Sequence, residues 1–580
     1  MHDLVIRGGK LVDGTGAPAR TADVAIDAGR VSEVGRVSGA ARRTLDADGL
    51  LVTPGFVDVH THYDAQATWD PHLTPSCWHG VTTAVAGNCG VGFAPAAPDR
   101  HQWLIGLMEG VEDIPGAALS EGIRWDWESF PEYLDALERA PHALDLGAQV
   151  PHGAVRAYVM GERGAKNEPA TAEDIAGMAR IVKQGVLAGA LGFSSSRTMG
   201  HRAVDGEPVP GTFAREDELF GIGRALQDAG RGIFELAPAG AGGDSGMDGP
   251  ESILEEMDWA VRLSAEIQRP VSFVMLQYPS RPDIWREVFR RADAAARQGS
   301  EIFPQVAGRP FGILAGHQTI ANPFLGRPSY DAVLPLPLPE RARRLRDPEL
   351  RRRILSEKTD RPLNFFLSEK AFANVFPLGD PPDYEPAASQ SVAARAEREG
   401  RPVLEVVYDL MLGDDARELL LFPYLNYSAG HLDPQREMML HPRAILGLGD
   451  GGAHCGLICD ASIPTFMLVH WVRDRKRGEK LALEFVVEKL TRGTARLYGL
   501  QDRGVLAPGY KADVNLIDFE RLALRRPEMA YDLPGGARRL LQRADGYVAT
   551  LVSGEVILEQ GAATDALPGR LIRGAQPAPR

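Results

Sequence analysis

The chain has 580 residues, 44% of them hydrophobic, so it is long enough for more than one domain and can bury a large core. Its formal charge of −14 and pI near 5.6 argue against nucleic acids or anionic membranes as partners, and no run of about 18 apolar residues predicts a membrane span. The four scattered cysteines, Cys77, Cys89, Cys455 and Cys459, do not form a disulfide framework and favour a cytoplasmic protein with reduced thiols.

The two ends of the chain carry similar patterns. The start, MHDLVIRGGKLVDGTG, alternates like a strand and lacks the basic and apolar regions of a signal peptide. A strand, a glycine turn and a second strand are also predicted near the end, in GYVATLVSGEVILEQG. The runs ADVAI, RVSEVG and GLLVTPG add short strands early, and RGVLAPGYKADVNLIDF adds one late. We predict one small β-sandwich domain built from residues 1–53 and 503–560, followed by a C-terminal tail at 561–580.

The middle of the chain, residues 54–502, alternates between strands and helices. Apolar runs such as TTAVAG, LDLGAQVP, GALGFSS, GIFELAP, VSFVMLQ, SEIFPQV and AILGLGD are separated by helical stretches such as AEDIAGMARIVKQGVLAG. About eight such repeats predict an α/β fold, a (β/α)8 TIM-like barrel. Residues 309–400 exceed what eight strand–helix repeats require, and we predict that they form an inserted lid. Within it, the Arg-rich run Arg341–Leu355 is interpreted as a solvated helix face with acidic neighbours.

The stretch FVDVHTHYD places His60 and His62 at the end of an apolar strand. Side chains two residues apart on a strand point to the same side, so both imidazoles are expected to face the barrel mouth. Catalytic residues lie at that mouth in such barrels. Two imidazoles about 2 Å from one cation are a common metal-binding arrangement, which makes the pair a candidate metal site.

Four motifs and one half-domain give the chain a family resemblance. PGFVDVHTH, the half-domain before it and the late LAPGYKADVNLID resemble the amidohydrolase superfamily of metal-dependent hydrolases. Within that superfamily, GVTTAVAGNCG and ILGLGDGGAH resemble the N-acyl-D-amino-acid deacylase (D-aminoacylase) family. The resemblance spans nearly the whole chain. It implies that His60, His62, Cys89 and Asp450 are metal ligands. A carboxylate at the end of the last strand also suits a general base, so we expect Asp450 to accept a proton from the attacking water.

The chain departs from this family at the fifth and sixth strands, where the family supplies two more histidines. No histidine lies between His201 and His317, and the polar side chains near those strand ends are Glu235 and Gln277. The fourth strand, GALGFSSS, holds no lysine that could bridge two metals. Three arrangements follow: one metal on His60, His62 and Asp450; a second cation kept by Glu235, with preference for Mn or Fe; or His201 acting as a ligand or acid–base group.

Several other residues are candidates for contacts with substrate. His201 follows the fourth strand, and His454 could donate to a substrate or steady Asp450. Asn426, in FPYLNYSAGHLD, is expected to face the mouth, and Gln277 ends the sixth strand. Arg309 could bind a substrate carboxylate with both arms of its guanidinium.

The predicted function is hydrolysis of amide C–N bonds by metal-activated water, with Zn as one or two divalent ions and Mn or Fe as alternatives. The resemblance implies a small acylated molecule, such as an N-acyl-D-amino acid, as substrate. Two alternatives stay open: a cyclic-amide hydrolase or deaminase of the same superfamily, and a degenerate barrel that acts as a binding or scaffold protein. Barrels of this length commonly associate, which leaves a homo-oligomer open.

Overall fold

The computed structural model describes residues 1–243, 248–359 and 370–579. Eight parallel strands form the barrel, and seven of them carry the apolar runs named above. They are Phe56–Asp58, Val81–Ala86, Asp145–Pro151, Gly192–Ser196, Ile233–Ala237, Val271–Val274, Ile302–Val306 and Ile445–Leu446, referred to here as the first to eighth barrel strands. Each pairs with the next in chain order. A parallel bridge between Thr61 and Gly451 joins the first strand to the eighth, so the predicted barrel is confirmed.

Helices between these strands carry the expected amphipathic pattern. Helix Ala172–Ala188 begins at a capping box formed by Thr171 and Asp174. Its buried residues include Met178, Val182 and Val186, which recur every four residues along one face and pack on the barrel. The α-helices are His101–Glu112, Gly116–Gly122, Phe130–Arg139, His152–Met160, Glu162–Ala165, Ala172–Ala188, Glu216–Ala229, Ser252–Ile267, Ile284–Ala296, Pro328–Asp331, Leu338–Leu345, Pro348–Ser356, Val392–Glu399, Val403–Met411, Gly413–Ala416, Asp433–Leu440, Ile463–Phe466, Leu483–Glu488 and Thr494–Leu497.

Short helical turns complete this set, and none of the described helices is long and apolar enough to cross a membrane. The 3-10 turns are Gln66–Thr68, Ser76–His79, Pro98–Arg100, Ala371–Asn374, Ala388–Gln390, Asp460–Ser462 and Pro534–Gly536. The π-helical turns are Met467–Asp474 and Lys489–Gly493.

Strands from both ends of the chain share one nine-stranded sheet. Strand Leu51–Pro54 pairs in parallel with His2–Leu11 on one side and antiparallel with Val514–Ile517 on the other. An apolar cluster that includes Ile6 and Leu551 covers the sheet. The other strands of this sheet are Arg20–Asp27, Arg30–Gly35, Ala41–Asp46, Tyr547–Val552, Glu555–Glu559 and Ala562–Ala563. Two small hairpins are formed by Ala523–Leu524 with Ala544–Asp545 and by Glu528–Leu533 with Ala537–Leu541.

The inserted segment between the seventh and eighth barrel strands has its own sheet and its own apolar core. The sheet contains Phe311–Ala315, Phe376–Pro377 and Leu420–Leu425, so the insertion continues past residue 400, where the sequence prediction ended it. Residues 360–369 of the predicted lid lie outside the described residues. The Arg-rich run falls on two helices of this segment, and Arg351 there pairs with Glu405 and Asp409.

The predicted C-terminal tail packs against the barrel. Gly569 bridges to His142 and Leu571 bridges to Leu146 at the start of the third barrel strand. Leu571 and Ile572 are buried. The tail therefore covers the face of the barrel opposite the mouth, because the carboxyl ends of all eight strands point the other way.

Candidate metal centre

Three predicted ligands meet at the barrel mouth. One ligand atom each from His60, His62 and Cys89 lies within 4.8 Å of the other two. The Cys89 Sγ atom is 3.3 Å from the His60 Nε2 atom. All three side chains are buried. Two imidazoles and one thiol form a donor set that suits zinc.

Asp450 joins this group from the loop that follows the eighth strand. Its Oδ1 atom lies 3.6 Å from His60 Nε2 and 3.8 Å from His62 Nε2. The backbone explains this proximity, because the His60 carbonyl accepts a hydrogen bond from the Asp450 amide at 2.9 Å. The Gly451 carbonyl accepts one from the His62 amide at 2.8 Å. The two hydrogen bonds that close the barrel therefore also set the register of the site.

The backbone is strained at several of these positions. Cys89, Asp450 and His454 have φ angles of 54°, 46° and 55°, in the left-handed region that residues other than glycine rarely adopt. Such strain is concentrated at functional sites. Gly449 is required for a different reason: a Cβ atom there would lie 2.1 Å from the Asp58 carboxylate, inside the barrel.

Glu235, on the fifth barrel strand, contacts the cluster directly. Its Oε2 atom accepts a hydrogen bond from the Cys89 amide at 3.2 Å, and its Oε1 atom lies 3.9 Å from His60 Nδ1. Oε1 has no hydrogen-bond partner, although the side chain is fully buried. The fifth strand thus offers a carboxylate where the resembled family offers a histidine.

Two neighbours of the cluster were not found by sequence reasoning. His60 Nδ1 donates to the Gln305 Oε1 atom, 2.8 Å away on the seventh strand, which leaves the Nε2 lone pair facing the cluster. Glu112, the last residue of helix His101–Glu112, lies with Oε2 3.5 Å from His62 Nε2. The one sequence signal for Gln305 is that it is a polar residue in the apolar run IFPQV. Nothing in the sequence distinguishes Glu112 from other acidic residues on helices.

Two predicted substrate contacts lie beside the cluster. His201 Nδ1 is 3.0 Å from the Ser196 Oγ atom at the end of the fourth strand, and burial lowers the pKa of His201 to about 4. His201 is close enough to contribute to the lowered pKa of His60. His454 Nε2 lies 3.7 Å from the Asp450 Oδ2 atom.

Three other predicted substrate contacts are engaged elsewhere, contrary to the sequence expectation. Arg309 is 1% exposed, and its guanidinium binds Asp460 at 2.8 Å, so it holds the Cys459–Ser462 turn instead of facing a substrate. The Asn426 side chain accepts from the Gln277 amide and donates to the Arg309 carbonyl. Gln277 itself binds Pro282 and Ser428. Their polar atoms stabilise loops, because strand-end amides in buried surroundings must find backbone partners.

Burial dominates the electrostatics of the cluster. It raises the pKa of Glu235 to about 8 and that of Asp58 to about 7, and it raises the pKa values of Asp450 and the Cys89 thiol well above their ordinary range. It also lowers the pKa of His60 to about 4. Neutral imidazoles are the form that binds a cation.

The donor set fits a divalent cation. Among the described residues, no lysine or arginine forms an ion pair with Asp58, Glu112, Glu235 or Asp450, although all four carboxylates are buried. Buried carboxylates are normally paired or bound to a metal. Asp58 Oδ2, Glu112 Oε1 and Glu235 Oε1 lack any hydrogen-bond partner. A cation held by His60, His62 and Cys89 beside Asp450 would supply the missing positive charge.

Comparison with known proteins gives a consistent result. The model of the amidohydrolase family matches residues 43–558. A D-aminoacylase from Alcaligenes xylosoxydans xylosoxydans is 27% identical over 98% of this chain and 97% of its own length. An N-acyl-D-glutamate deacylase from the same organism is 28% identical over 98% of this chain and 96% of its own length.

Solved structures share the fold. A D-aminoacylase with a binuclear metal centre superposes with a TM-score of 0.65 at 22% identity, covering 99% of this chain and 100% of that one. An N-acyl-D-glutamate deacylase from Bordetella bronchiseptica, complexed with zinc and a phosphonate inhibitor, superposes with a TM-score of 0.65 at 23% identity and the same coverage.

Proposed function

Since the chain belongs to the amidohydrolase family, a family of hydrolases that act on C–N bonds other than peptide bonds, we propose that it deacylates N-acyl-D-amino acids. The relatives named above support this substrate class, because they match almost the whole chain. The proposed partner is thus a small acylated molecule. Four free, buried cysteines favour a cytoplasmic location.

The observation that carries the proposal is the convergence of His60, His62, Cys89 and Asp450 from three barrel strands or their ends. These residues would hold one divalent cation, for which we propose zinc because the set contains a thiol and two imidazoles. When bound, such a cation polarises a carbonyl and lowers the pKa of water towards about 7. A buried carboxylate without a cationic partner destabilises the fold. A scaffold protein that had lost catalysis would gain nothing from keeping such carboxylates beside these donors, which argues against that alternative.

Asp450 is the proposed general base. It lies at the inner end of the loop that follows the eighth strand, 8% exposed, and its Oδ1 atom faces the two imidazoles. From there it accepts a proton from the attacking water and passes it to the leaving nitrogen of the amide. Burial, followed by the neighbouring carboxylates, raises the pKa of Asp450 in the metal-free protein, and a cation held beside it would favour the carboxylate form that accepts the proton.

Gln305 is proposed to orient His60, and Glu235 is proposed to position Cys89. Gln305 fixes the His60 tautomer by accepting from Nδ1. Glu235 holds the Cys89 amide and keeps its second oxygen towards His60. A carboxylate added to the donor set would shift the preference from zinc towards Mn or Fe.

His201 is proposed to contact the substrate. Its Nδ1 atom is engaged by Ser196, so its Nε2 atom is left to meet a polar group of the substrate at the mouth. In the neutral form that burial favours, Nε2 donates if Nδ1 accepts from the Ser196 hydroxyl. In that tautomer, His201 would offer the substrate one hydrogen-bond donor on the side of the mouth formed by the fourth strand.

A substrate panel tests the proposal. The metal-reconstituted protein is assayed with matched N-acetyl-D- and N-acetyl-L-amino acids and with a cyclic amide, and release of the free amine is measured. We expect turnover of the D series, dependence on added metal and loss of turnover with a chelator. Turnover of the cyclic amide alone, or turnover unaffected by removal of all bound metal, contradicts the proposal.

A further inference from the structure

A groove lies between the inserted segment and the hairpin of strands Glu528–Leu533 and Ala537–Leu541. Its volume is about 600 Å³, within the range of about 300 to 1,000 Å³ that is usual for small-molecule sites. Gln318 lines the groove, whereas Ile320, two residues on, donates its amide hydrogen bond to the Gly456 carbonyl in the loop after the eighth barrel strand. No residue of the candidate metal centre lines the groove, so the two sites are separate.

Three arginines line this groove, and no acidic residue among the described lining accompanies them. They are Arg341, Arg417 and Arg538. None of the three forms an ion pair with a carboxylate in the described part of the chain, whereas the neighbouring Arg343 and Arg539 each pair with an acid. The groove therefore carries positive charge that no ion pair neutralises, in a chain whose formal charge is −14.

Backbone carbonyls hold two of these guanidinium groups in place. Arg341 donates from Nη1 to the His317 carbonyl at 2.6 Å and from Nη2 to the Leu336 carbonyl at 3.1 Å. Its Nε atom is buried and has no hydrogen-bond partner. Arg538 donates from Nη1 to the Gln318 carbonyl at 3.0 Å. Because a carbonyl orients a guanidinium without cancelling its charge, these contacts fix the cations in the groove and leave other N–H donors for a ligand.

The rest of the lining is largely apolar. Leu336, Leu338 and Met529 form part of the wall, and the Tyr531 side chain beside them is exposed, at 60% of its residue surface. A guanidinium binds a carboxylate with two parallel hydrogen bonds, and covering apolar surface with hydrocarbon is favourable in water. Arginines beside an apolar wall thus complement a molecule that has an anionic head and a hydrocarbon body.

We propose that this groove binds a small organic carboxylate with an apolar body, such as a medium-chain fatty acid anion. Arg417, which is exposed, and Arg538 supply hydrogen-bond donors to the carboxylate. Arg341 adds its fixed charge, and Leu336 and Met529 pack against the hydrocarbon chain. The inference does not depend on the proposed function, because the groove shares no residue with the candidate metal centre.

Isothermal titration calorimetry of the full-length, metal-loaded protein tests the groove. Octanoate is the probe, octanol is the neutral analogue of the same chain length, and inorganic phosphate is the anion without a hydrocarbon body. We expect saturable binding of octanoate and weaker binding of the other two. In the double variant R417Q/R538Q, we expect the dissociation constant of octanoate to rise by about 10-fold or more, because two charged donors are lost.

The matched control is R343Q/R344Q, which removes the same charge from exposed positions on the helix of Arg341 but outside the groove lining. It is expected to bind octanoate like the wild-type protein. Both double variants are checked by circular dichroism, and R417Q alone decides the question if R417Q/R538Q does not fold, since the exposed Arg417 side chain makes the smallest change to packing.

Three results would overturn the proposal. Octanoate binding that is unchanged in R417Q/R538Q, or equally weakened in R343Q/R344Q, shows that the groove arginines do not hold the carboxylate. Octanol binding as tightly as octanoate shows that the anionic head is not recognised. Phosphate binding as tightly as octanoate shows that the apolar wall does not contribute.

Discussion

The Asp450 amide donates a hydrogen bond to the His60 carbonyl at 2.9 Å, although 390 positions separate the two residues in the sequence. This bond belongs to the closure of the barrel, and it also places the Asp450 carboxylate 3.6 Å from the His60 ring. Closure of the barrel and assembly of the candidate metal centre therefore depend on the same backbone contact. Any change that opens the contact between the first and last strands is expected to weaken cation binding as well as stability.

Replacing Asp450 with Asn is expected to lower kcat by about 10²- to 10⁴-fold, because an amide cannot accept the proton of the attacking water. The side chain keeps its size and its position beside His60 and His62. Steady-state kinetics on the best substrate of the panel, with bound metal counted in parallel, measures the effect. Full activity of the metal-loaded variant contradicts the role given to Asp450.

Replacing Gln305 with Leu is expected to lower cation affinity by about 10- to 100-fold, because His60 loses the acceptor that orients it. Gln305→Glu is the matched control, since a carboxylate accepts the same hydrogen bond from Nδ1 and should keep most of the affinity. Competition with a chromophoric chelator gives both dissociation constants. Equal affinity in Leu and Glu variants indicates that the contact does not orient the ligand.

The metal-free protein is expected to lose stability as the pH rises from about 6.5 to about 8.5. Burial raises the pKa of Glu235 to about 8 and of Asp58 to about 7, so both hold a proton more tightly in the folded state than in the unfolded state. Such groups contribute stability that is fully present below their unfolded pKa of about 4 and is lost as the pH rises through the folded pKa. Buried imidazoles with lowered pKa act in the opposite direction, but only below about pH 6.5.

The loss of stability is measured as the melting temperature of the chelator-treated protein between about pH 6.5 and about pH 8.5. A divalent cation is expected to raise the melting temperature more at about pH 8 than at about pH 6.5, because ligand deprotonation favours binding at higher pH. A melting temperature of the metal-free protein that rises over the interval contradicts this account of the buried carboxylates.

A buried ion pair outside the site gives a prediction about stability. Burial raises the pKa of Glu218, but hydrogen bonds from His152 and Arg156 outweigh it and lower the pKa to about 2. Glu218→Gln leaves the buried Arg156 charge without its partner and is expected to destabilise the fold by about 3 kcal/mol. This contribution is present above about pH 4.5 and is lost as the pH falls towards 2.

The midpoint of urea unfolding, recorded with and without the substitution at neutral pH and at about pH 3, measures that contribution. Glu216→Gln is the control, because Glu216 lies on the same helix and pairs with Arg262 at the surface, where such pairs contribute about 0 to 1 kcal/mol. Equal midpoints for the two variants at neutral pH contradict the role of the Glu218 pair.

The barrel was accessible from the sequence because its strands are buried on both faces and read as separate apolar runs such as VSFVMLQ. The end of the insertion could not be predicted from the sequence, because residues 401–425 contain a helix and a strand with the same patterns as those of the barrel. His60, His62, Cys89 and Asp450 were proposed as ligands because each lies in a recognisable motif at a strand end, and the structure brings their side chains close together. Arg309 and Asn426 were misassigned, since position after a strand does not reveal whether a polar side chain meets a substrate or another loop.

The sequence by itself determined the kinds of elements, their order and the four donors carried by motifs, because periodicity and local motifs are properties of neighbouring residues. Only the tertiary structure decided which polar side chains share the site. Glu112 and Gln305, which the sequence did not mark, come from a helix end and from the seventh barrel strand, and their contacts with His62 and His60 depend on barrel closure and on a helix end bonded to a distant loop. Distances between atoms far apart in the chain follow from packing, which a single sequence does not encode in any local pattern.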